Sequence, residues 1–255
     1  MAKRIEDLKL IANKRLNKEF FILEVCGNSE LPEFKPGQFV QVRIDGSTET
    51  FLRRPISIHD VDYERNSFKM LVQVVGKGTE TLSNLRPGDS VNVVYPLGNS
   101  FSIPSNGEKV ILIGGGCGIA PLLYLGRYLS GKGFTPDILL GFRNRSRIIE
   151  YEEYEKVGRV YVTTEDGSEG EKGFVTGHSV LSAVTYDRVY CCGPDSMMKA
   201  VASYSRDRNI FCEVSLENLM ACGIGVCLCC VVDTVNGHVC SCTDGPIFNI
   251  NDLKW

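Results

Sequence analysis

Lys109-Val110-Ile111-Leu112-Ile113-Gly114-Gly115-Gly116-Cys117-Gly118 decides the fold class of the central part of this chain. The apolar run Val110–Ile113, bounded by turn-forming glycines, reads as a short buried strand. The glycines turn the backbone, and an apolar helix through Leu129 follows. Strand, glycine turn and helix in that order open a parallel α/β unit. Such a turn lets backbone approach a pyrophosphate, and the helix N-terminus supplies partial positive charge. A plain turn can carry the same spelling, so the surrounding sequence has to decide.

On the C-terminal side, short apolar runs recur at Asp137–Gly141, Arg159–Thr163 and Arg188–Cys192. Helical patterning lies between them, over Ser146–Lys156 and Ser196–Asp207. Residues 103–212 are therefore expected to form one parallel α/β sheet. A second loop, Cys192-Gly193-Pro194-Asp195, also follows a strand. Two such loops in one sheet suit a dinucleotide laid across a switch point. Gly114, Gly115, Gly116, Gly118, Cys192, Gly193 and Pro194 are the candidate contacts, although Cys192 also reads as a small buried hydrophobe. Another strand ends in Thr164-Glu165-Asp166-Gly167-Ser168. Glu165 and Asp166 there would suit a ribose hydroxyl and repel a 2′-phosphate, which favours NAD over NADP.

On the N-terminal side, residues 1–102 read as short strands with polar turns. Strands are expected at Phe20–Val25, Gln38–Ile44, Phe68–Val75 and Ser90–Val94. Lys35-Pro36-Gly37 and Arg86-Pro87-Gly88-Asp89 are turn signatures. The pattern predicts a β-barrel or sandwich. Within it, Arg53-Arg54-Pro55-Ile56-Ser57 sets cations and a hydroxyl beside a strand, which can meet a phosphate and a planar ring system. Gly76-Lys77-Gly78-Thr79 offers further backbone amides. An arginine pair also occurs on plain solvated edges.

The last zone, 213–255, is too small to fold alone without a metal or another staple. Of eleven cysteines, Cys222, Cys227, Cys229, Cys230, Cys240 and Cys242 crowd into it. Cys222, Cys227 and Cys230 have the C-x4-C-x2-C spacing of plant-type [2Fe–2S] centres, with a fourth cysteine at Cys240 or Cys242. Gly223 and Gly225 let the loop wrap closely, so that amides point at the sulfurs. Structural zinc also takes four cysteines, but zinc ribbons prefer paired C-x2-C knuckles and only one is present. Cys229 reads as a bystander.

A net charge of −3 over 255 residues gives no basic excess, which argues against nucleic acid and anionic membrane surfaces as partners. The most apolar stretch, Val110–Gly126, is broken by five glycines and Pro121, unlike a membrane span. Lys3, Arg4, Glu6 and Asp7 open the chain without an apolar segment, so no secretory signal is read and a cytoplasmic protein is expected. The three histidines are scattered, and no catalytic residue is assigned.

Arg54-Pro55-Ile56-Ser57 resembles the flavin motif of the ferredoxin–NADP reductase superfamily, with Ile56 where that motif holds tyrosine. Gly114–Pro121 and Cys192-Gly193-Pro194 resemble its pyridine-nucleotide motifs. Met220-Ala221-Cys222-Gly223-Ile224-Gly225-Val226-Cys227, then Cys230 and Cys242-Thr243-Asp244-Gly245-Pro246, closely resembles the electron-transfer subunits of type B dihydroorotate dehydrogenase. Arg53–Ile58, Gly76–Thr79, Glu165–Ser168 and Gly173-Phe174-Val175-Thr176 fit the same family, in order along essentially the whole chain.

The resemblance implies an antiparallel FAD-binding β-barrel over 1–102, a Rossmann-like NAD-binding α/β domain over 103–212 and a small [2Fe–2S] subdomain over 213–255. It implies FAD contacts at Arg54, Pro55, Ile56, Ser57, Leu71, Val72, Gln73, Gly78 and Thr79, and places Cys192 near the nicotinamide. It selects Cys242 as the fourth cluster ligand, since the family's ligand directly precedes x-Asp-Gly-Pro. Cys229 and Cys240 are additional to the family pattern. The implied activity passes electrons from the FMN of a dihydroorotate-oxidising partner, in a heterotetramer, through the cluster and FAD to NAD⁺. Rival readings are a subunit of a sulfide dehydrogenase or of an NADH-dependent ferredoxin–NADP oxidoreductase, and a non-catalytic metal-stabilised or redox-sensing binding protein.

Overall fold

The computed structural model describes residues 3–255; Met1 and Ala2, the first two residues of the expected N-terminal zone, lie outside them. The chain runs through β1 (Arg4–Arg15), β2 (Phe20–Cys26), β3 (Phe39–Val42), β4 (Arg54–Ser57), β5 (Asp60–Asp62), β6 (Ser67–Gln73), α1 (Lys77–Ser83) and β7 (Ser90–Leu97). These strands form one sheet in the order β4-β3-β7-β1-β2-β6-β5, with every neighbour antiparallel. Its core holds Leu23, Val25, Phe34, Val40, Phe68, Met70 and Val93, supplied by alternating strand positions and one loop. β1 is not among the expected strands, because its charged residues blur the strand pattern. Leu8 and Leu10 are the residues it buries, two positions apart on one face.

The second part runs through β8 (Val110–Gly115), α2 (Ala120–Gly131), β9 (Asp137–Phe142), α3 (Tyr151–Glu155), β10 (Arg159–Thr164), β11 (Glu171–Lys172), α4 (Val180–Ala183), β12 (Arg188–Cys192), α5 (Asp195–Asp207) and β13 (Phe211–Ser215). The hairpin β14 (Val231–Thr234) and β15 (Gly237–Cys240) follows, and then β16 (Ile247–Asn249). The sheet order is β11-β10-β9-β8-β12-β13-β16, parallel except for the last pair. The chain leaves β8 toward β9 on one side and later returns to β12 on the other. The switch point therefore lies between β8 and β12, where the two glycine loops emerge.

The expected helix over Ser146–Lys156 shrinks to α3 and a separate 3₁₀ turn at Arg145–Arg147. Glu150 breaks it, adopting a left-handed φ of 55°. Its buried carboxylate lies 3.5 Å from Lys14 of β1 and 3.7 Å from His59, in the link between β4 and β5. That cross-domain contact, with burial of Ile149, overrides the local helical pattern.

Phe20, Ile22 and Leu71 of the barrel pack with Ile119, Ala120 and Leu123 of the α/β layer in one continuous core. Each fully buried side chain of this kind contributes about 2 kcal/mol of transfer free energy. His59 Nδ1 lies 2.8 Å from the Ala120 carbonyl and adds a polar pin. The end of β6 is thereby held against the start of α2. The expected boundary at 212–213 falls inside β13, and β16 returns from the cysteine segment to the same sheet.

Candidate functional site

A cavity of about 660 Å³ opens between the barrel and the C-terminal ends of the parallel strands. Of the expected nucleotide residues, Gly115, Gly116, Gly118, Glu165 and Pro194 line it. Gly114 lies behind this wall; a Cβ there would meet Ile119 and Leu122 at 2.9–3.0 Å. Cys192 is buried, and Gly193 turns the chain with φ +159°. The two glycine loops touch: a Cβ on Gly118 would stand 2.4 Å from both N and Cα of Gly193. Backbone cannot yield as a flexible side chain does. Gly118→Ala is therefore expected to push the loops apart and weaken NAD binding roughly 10- to 100-fold, read as a raised KM for NAD⁺.

The acidic loop divides its two carboxylates. Glu165 faces the cavity. Asp166 turns back on its own loop, accepting from the Ser168 hydroxyl at 2.6 Å and the Ser168 amide at 2.9 Å. Those bonds, the hydroxyl first, hold its pKa below the ordinary aspartate value. Asp166→Ser is expected to leave the NADH to NADPH rate ratio within about twofold, whereas Glu165→Gln lowers it roughly tenfold. Parallel assays with both coenzymes check this.

Phe20, Arg143, Arg147, Phe174, Met197 and Glu217 also line the cavity and are not among the expected contacts. Phe174 is 70% exposed, so its ring face is available for stacking. It stands in the Gly173-Phe174-Val175-Thr176 stretch, the one local signal that could have found it. Nothing local marks Arg143 or Arg147, which reach the cavity because β9 ends there. Glu217 is open to the cavity, yet the packed walls desolvate its carboxyl and raise its pKa. Burial, with Glu217 nearby, lifts the Cys117 thiol to about 12, so this thiol is protonated at neutral pH.

The flavin candidates lie on β4, β6 and α1. Arg54 and Gly78 meet closely, since a Cβ on Gly78 would stand 3.2 Å from the Arg54 Nε. The first turn of a helix leaves its amides without intrahelical acceptors, so guanidinium and free amides converge here. The Thr79 hydroxyl is spent on the turn: it accepts from the Val75 and Gly76 amides at 2.9 and 3.2 Å. Ile56 is buried in the barrel core, and Leu71 and Val72 are buried as well. Pro55 and Ser57 are half-buried, and Gln73 lines the cavity. Arg53, by contrast, is a fold residue, donating to the Gln41 and Asn92 carbonyls at 3.2 Å.

The cysteine segment packs on the barrel. Cys230, Cys240, Cys242 and Met220 form one apolar cluster with Phe39, Val94 and Leu97. Left-handed turns at Gly223, Gly225 and Leu228 wrap the loop, with φ of 68°, 86° and 57°. The wrap aims the Ile224, Val226 and Cys227 amides at the Cys222 Sγ, at 3.4–3.5 Å. These donors, Ile224 first, bring the Cys222 pKa down to about 6, favouring a thiolate ligand.

Cys222 neighbours Cys227, Cys230 neighbours Cys242, and Cys242 lies near Cys222 as well. Cys240 also neighbours Cys230, but the Asp244 carboxylate stands beside it, whereas the Gly225 amide faces Cys242. The donor set and the amide cradle fit a [2Fe–2S] cluster.

The family model for the iron–sulfur cluster binding domain of dihydroorotate dehydrogenase B matches residues 217–254. That for the oxidoreductase FAD-binding domain matches residues 7–101. The dihydroorotate dehydrogenase B (NAD(+)) electron transfer subunit of Shouchella clausii (strain KSM-K16) is 36% identical over 259 residues, covering 99% of each chain. The subunit of the same description from Fusobacterium nucleatum subsp. nucleatum is 34% identical, covering 98% of this chain and 99% of the relative. The solved structure of an NADH-dependent reduced ferredoxin–NADP oxidoreductase superposes with a TM-score of 0.87 and 32% identity, over 98% of this chain and 90% of that one.

Proposed function

We propose that this chain, which belongs to the family of electron-transfer subunits of dihydroorotate dehydrogenase B, carries electrons from the FMN of a dihydroorotate-oxidising partner through a [2Fe–2S] cluster and FAD to NAD⁺. The chain is an oxidoreductase subunit for pyrimidine biosynthesis, with no dihydroorotate site of its own. A single packing observation carries this reading. The cysteine segment lies directly on β3, and β3 pairs with β4, the strand of the flavin motif, through Val40↔Ile56 and Gln41↔Pro55. Cluster site, flavin strand and nucleotide cavity thus follow one another through contacting elements.

When bound, the cluster supplies single electrons and the flavin converts them into the hydride that nicotinamide accepts. The protein's own part is placement. The Arg54 guanidinium and the first amides of α1 would bind the FAD pyrophosphate, with Gly78 permitting the approach. Pro55, Ile56, Ser57, Leu71, Val72, Gln73 and Thr79 would frame the remainder, the buried ones through backbone. The β8–α2 glycine turn would hold the NAD pyrophosphate, and Glu165 its ribose. The Cys192-Gly193-Pro194 loop braces that turn from behind. Cys222, Cys227, Cys230 and Cys242 would ligate the irons.

Leu219, Val226 and Leu228 are exposed around the cysteines, 86%, 76% and 64%, and supply an apolar face for the partner subunit. The assembly proposed is a heterotetramer of two such chains with two FMN subunits. No helix among the described residues is long and apolar enough to cross a membrane. As a subunit for pyrimidine biosynthesis, the chain is placed in the cytoplasm.

The test is reconstitution. Mixing the purified chain with its candidate FMN subunit should yield NADH from NAD⁺ and dihydroorotate. A coloured, flavin-loaded chain that gives no turnover with any such subunit, and is instead reduced by ferredoxin, would transfer the assignment to a ferredoxin–NADP oxidoreductase.

A further inference from the structure

Gln41 is fully buried, yet neither its amide nitrogen nor its amide oxygen has a hydrogen-bond partner among the described residues. Its place is specific. It sits in β3, opposite Pro55 of the flavin strand, and two residues from Phe39, which packs into the cysteine cluster. Its terminal amide lies against Gly223, the residue after Cys222: a Cβ on Gly223 would stand 2.7 Å from the Gln41 Nε2 and 2.6 Å from its Cγ. Glycine with a left-handed φ is the residue that leaves this space open.

A buried amide left without partners is destabilising, so a stable fold does not leave one without a reason. An apolar side chain of similar size would fill the same space beside Gly223 without that cost. The residue before Gly223 is Cys222, and thiolate and sulfide sulfurs accept N–H donors and become stronger acceptors as they gain negative charge.

We propose that Gln41 is a positioning and tuning residue for electron transfer, whose Nε2–H donates to a sulfur of the cluster held at Cys222–Cys242 and favours its reduced state. It also bridges the cluster loop to the strand that carries Arg54 and Pro55. A donor to the cluster stabilises the form with the extra electron, so its loss weakens the cluster's electron affinity. The inference rests on the cluster reading proposed above.

The experiment begins with the intact protein. The chain has three glutamines, and the other two are engaged: Gln38 with the Gly98 carbonyl and Gln73 with Glu19. Protein grown on amide-¹⁵N-glutamine is reduced, and its cluster signal is examined by pulsed electron paramagnetic resonance. A ¹⁵N coupling that vanishes in Gln41→Leu is expected. Gln41→Leu and Gln41→Met should each weaken the cluster's electron affinity about tenfold in a redox titration, which for one electron is about 59 mV toward lower potential. A cluster that forms in the labelled protein without this coupling, or a potential unchanged in both variants, overturns the role of Gln41 and leaves the cluster standing. Absence of any cluster from the intact protein overturns both.

Discussion

Cys222→Ser is expected to abolish the cluster and lower partner-dependent NADH formation by at least about 100-fold, the upper end of what losing even an outer partner of a metal ligand costs. FAD should stay bound, and reduction of an artificial dye by NADH should continue. The expectation follows from how the last segment is anchored. Asn99 donates to the Asp244 and Ile247 carbonyls at 2.8 Å and accepts the Ile247 amide at 2.9 Å. β16 pairs with β13 in the large sheet. Neither contact depends on a thiolate, so the segment keeps its place when one ligand is lost. Arg54 and Gly78 belong to other elements and are not disturbed. Cys242→Ser should behave like Cys222→Ser, whereas Cys240→Ser and Cys229→Ser should retain the cluster. Absorption spectra, iron content and flavin content separate these outcomes. Simultaneous loss of cluster and FAD from Cys222→Ser would show that the barrel depends on the cluster for its fold.

Arg54→Ala should cost FAD binding about 100-fold, measured as flavin lost on desalting and regained only at high added FAD. Arg54 is half-exposed and held by the Leu52 carbonyl at 3.0 Å, with its Nε turned to Gly78. Removing it leaves a bound diphosphate facing one short helix turn with no cation, and charge-assisted bonds are worth about 1.5–3 kcal/mol. Arg54→Lys should recover part of the loss, since an ammonium restores the charge but not the planar fork. Arg53→Ala supplies the contrast. Its guanidinium ties β3 to β7 through Gln41 and Asn92, so its loss should lower the melting temperature more than the flavin affinity. If Arg53→Ala released FAD and Arg54→Ala did not, the assignment of the two arginines would be reversed.

Much of this site is legible in the sequence, for reasons of local chemistry. Thiols at C-x4-C-x2-C spacing close a loop on their own, so Cys222, Cys227 and Cys230 read as ligands from spacing. The glycines after Val110–Ile113 turn a strand into a helix whatever surrounds them. In the acidic loop the sequence implicates one residue too many. Glu165 and Asp166 look alike along the chain, and the turn after β10 sends one to the cavity and the other to Ser168. The helix over Ser146–Lys156 does not form in full because Glu150 answers to Lys14 and His59, residues far away in the chain.

By itself the sequence determined the order of the parts, the α/β and β character of the two large layers and the thiol-rich end, because each depends on residues within a few positions of one another. Tertiary structure alone decided what depends on chain segments meeting. It brought Phe20, Gln73, Arg143, Phe174 and Glu217 into one cavity with the glycine loops. It stacked the cysteine loop on β3 and set Gln41, unremarkable in sequence, against Gly223. The physical reason is that burial and close approach are properties of packed surfaces. No pattern of neighbours along the chain encodes which distant strand a loop will cover.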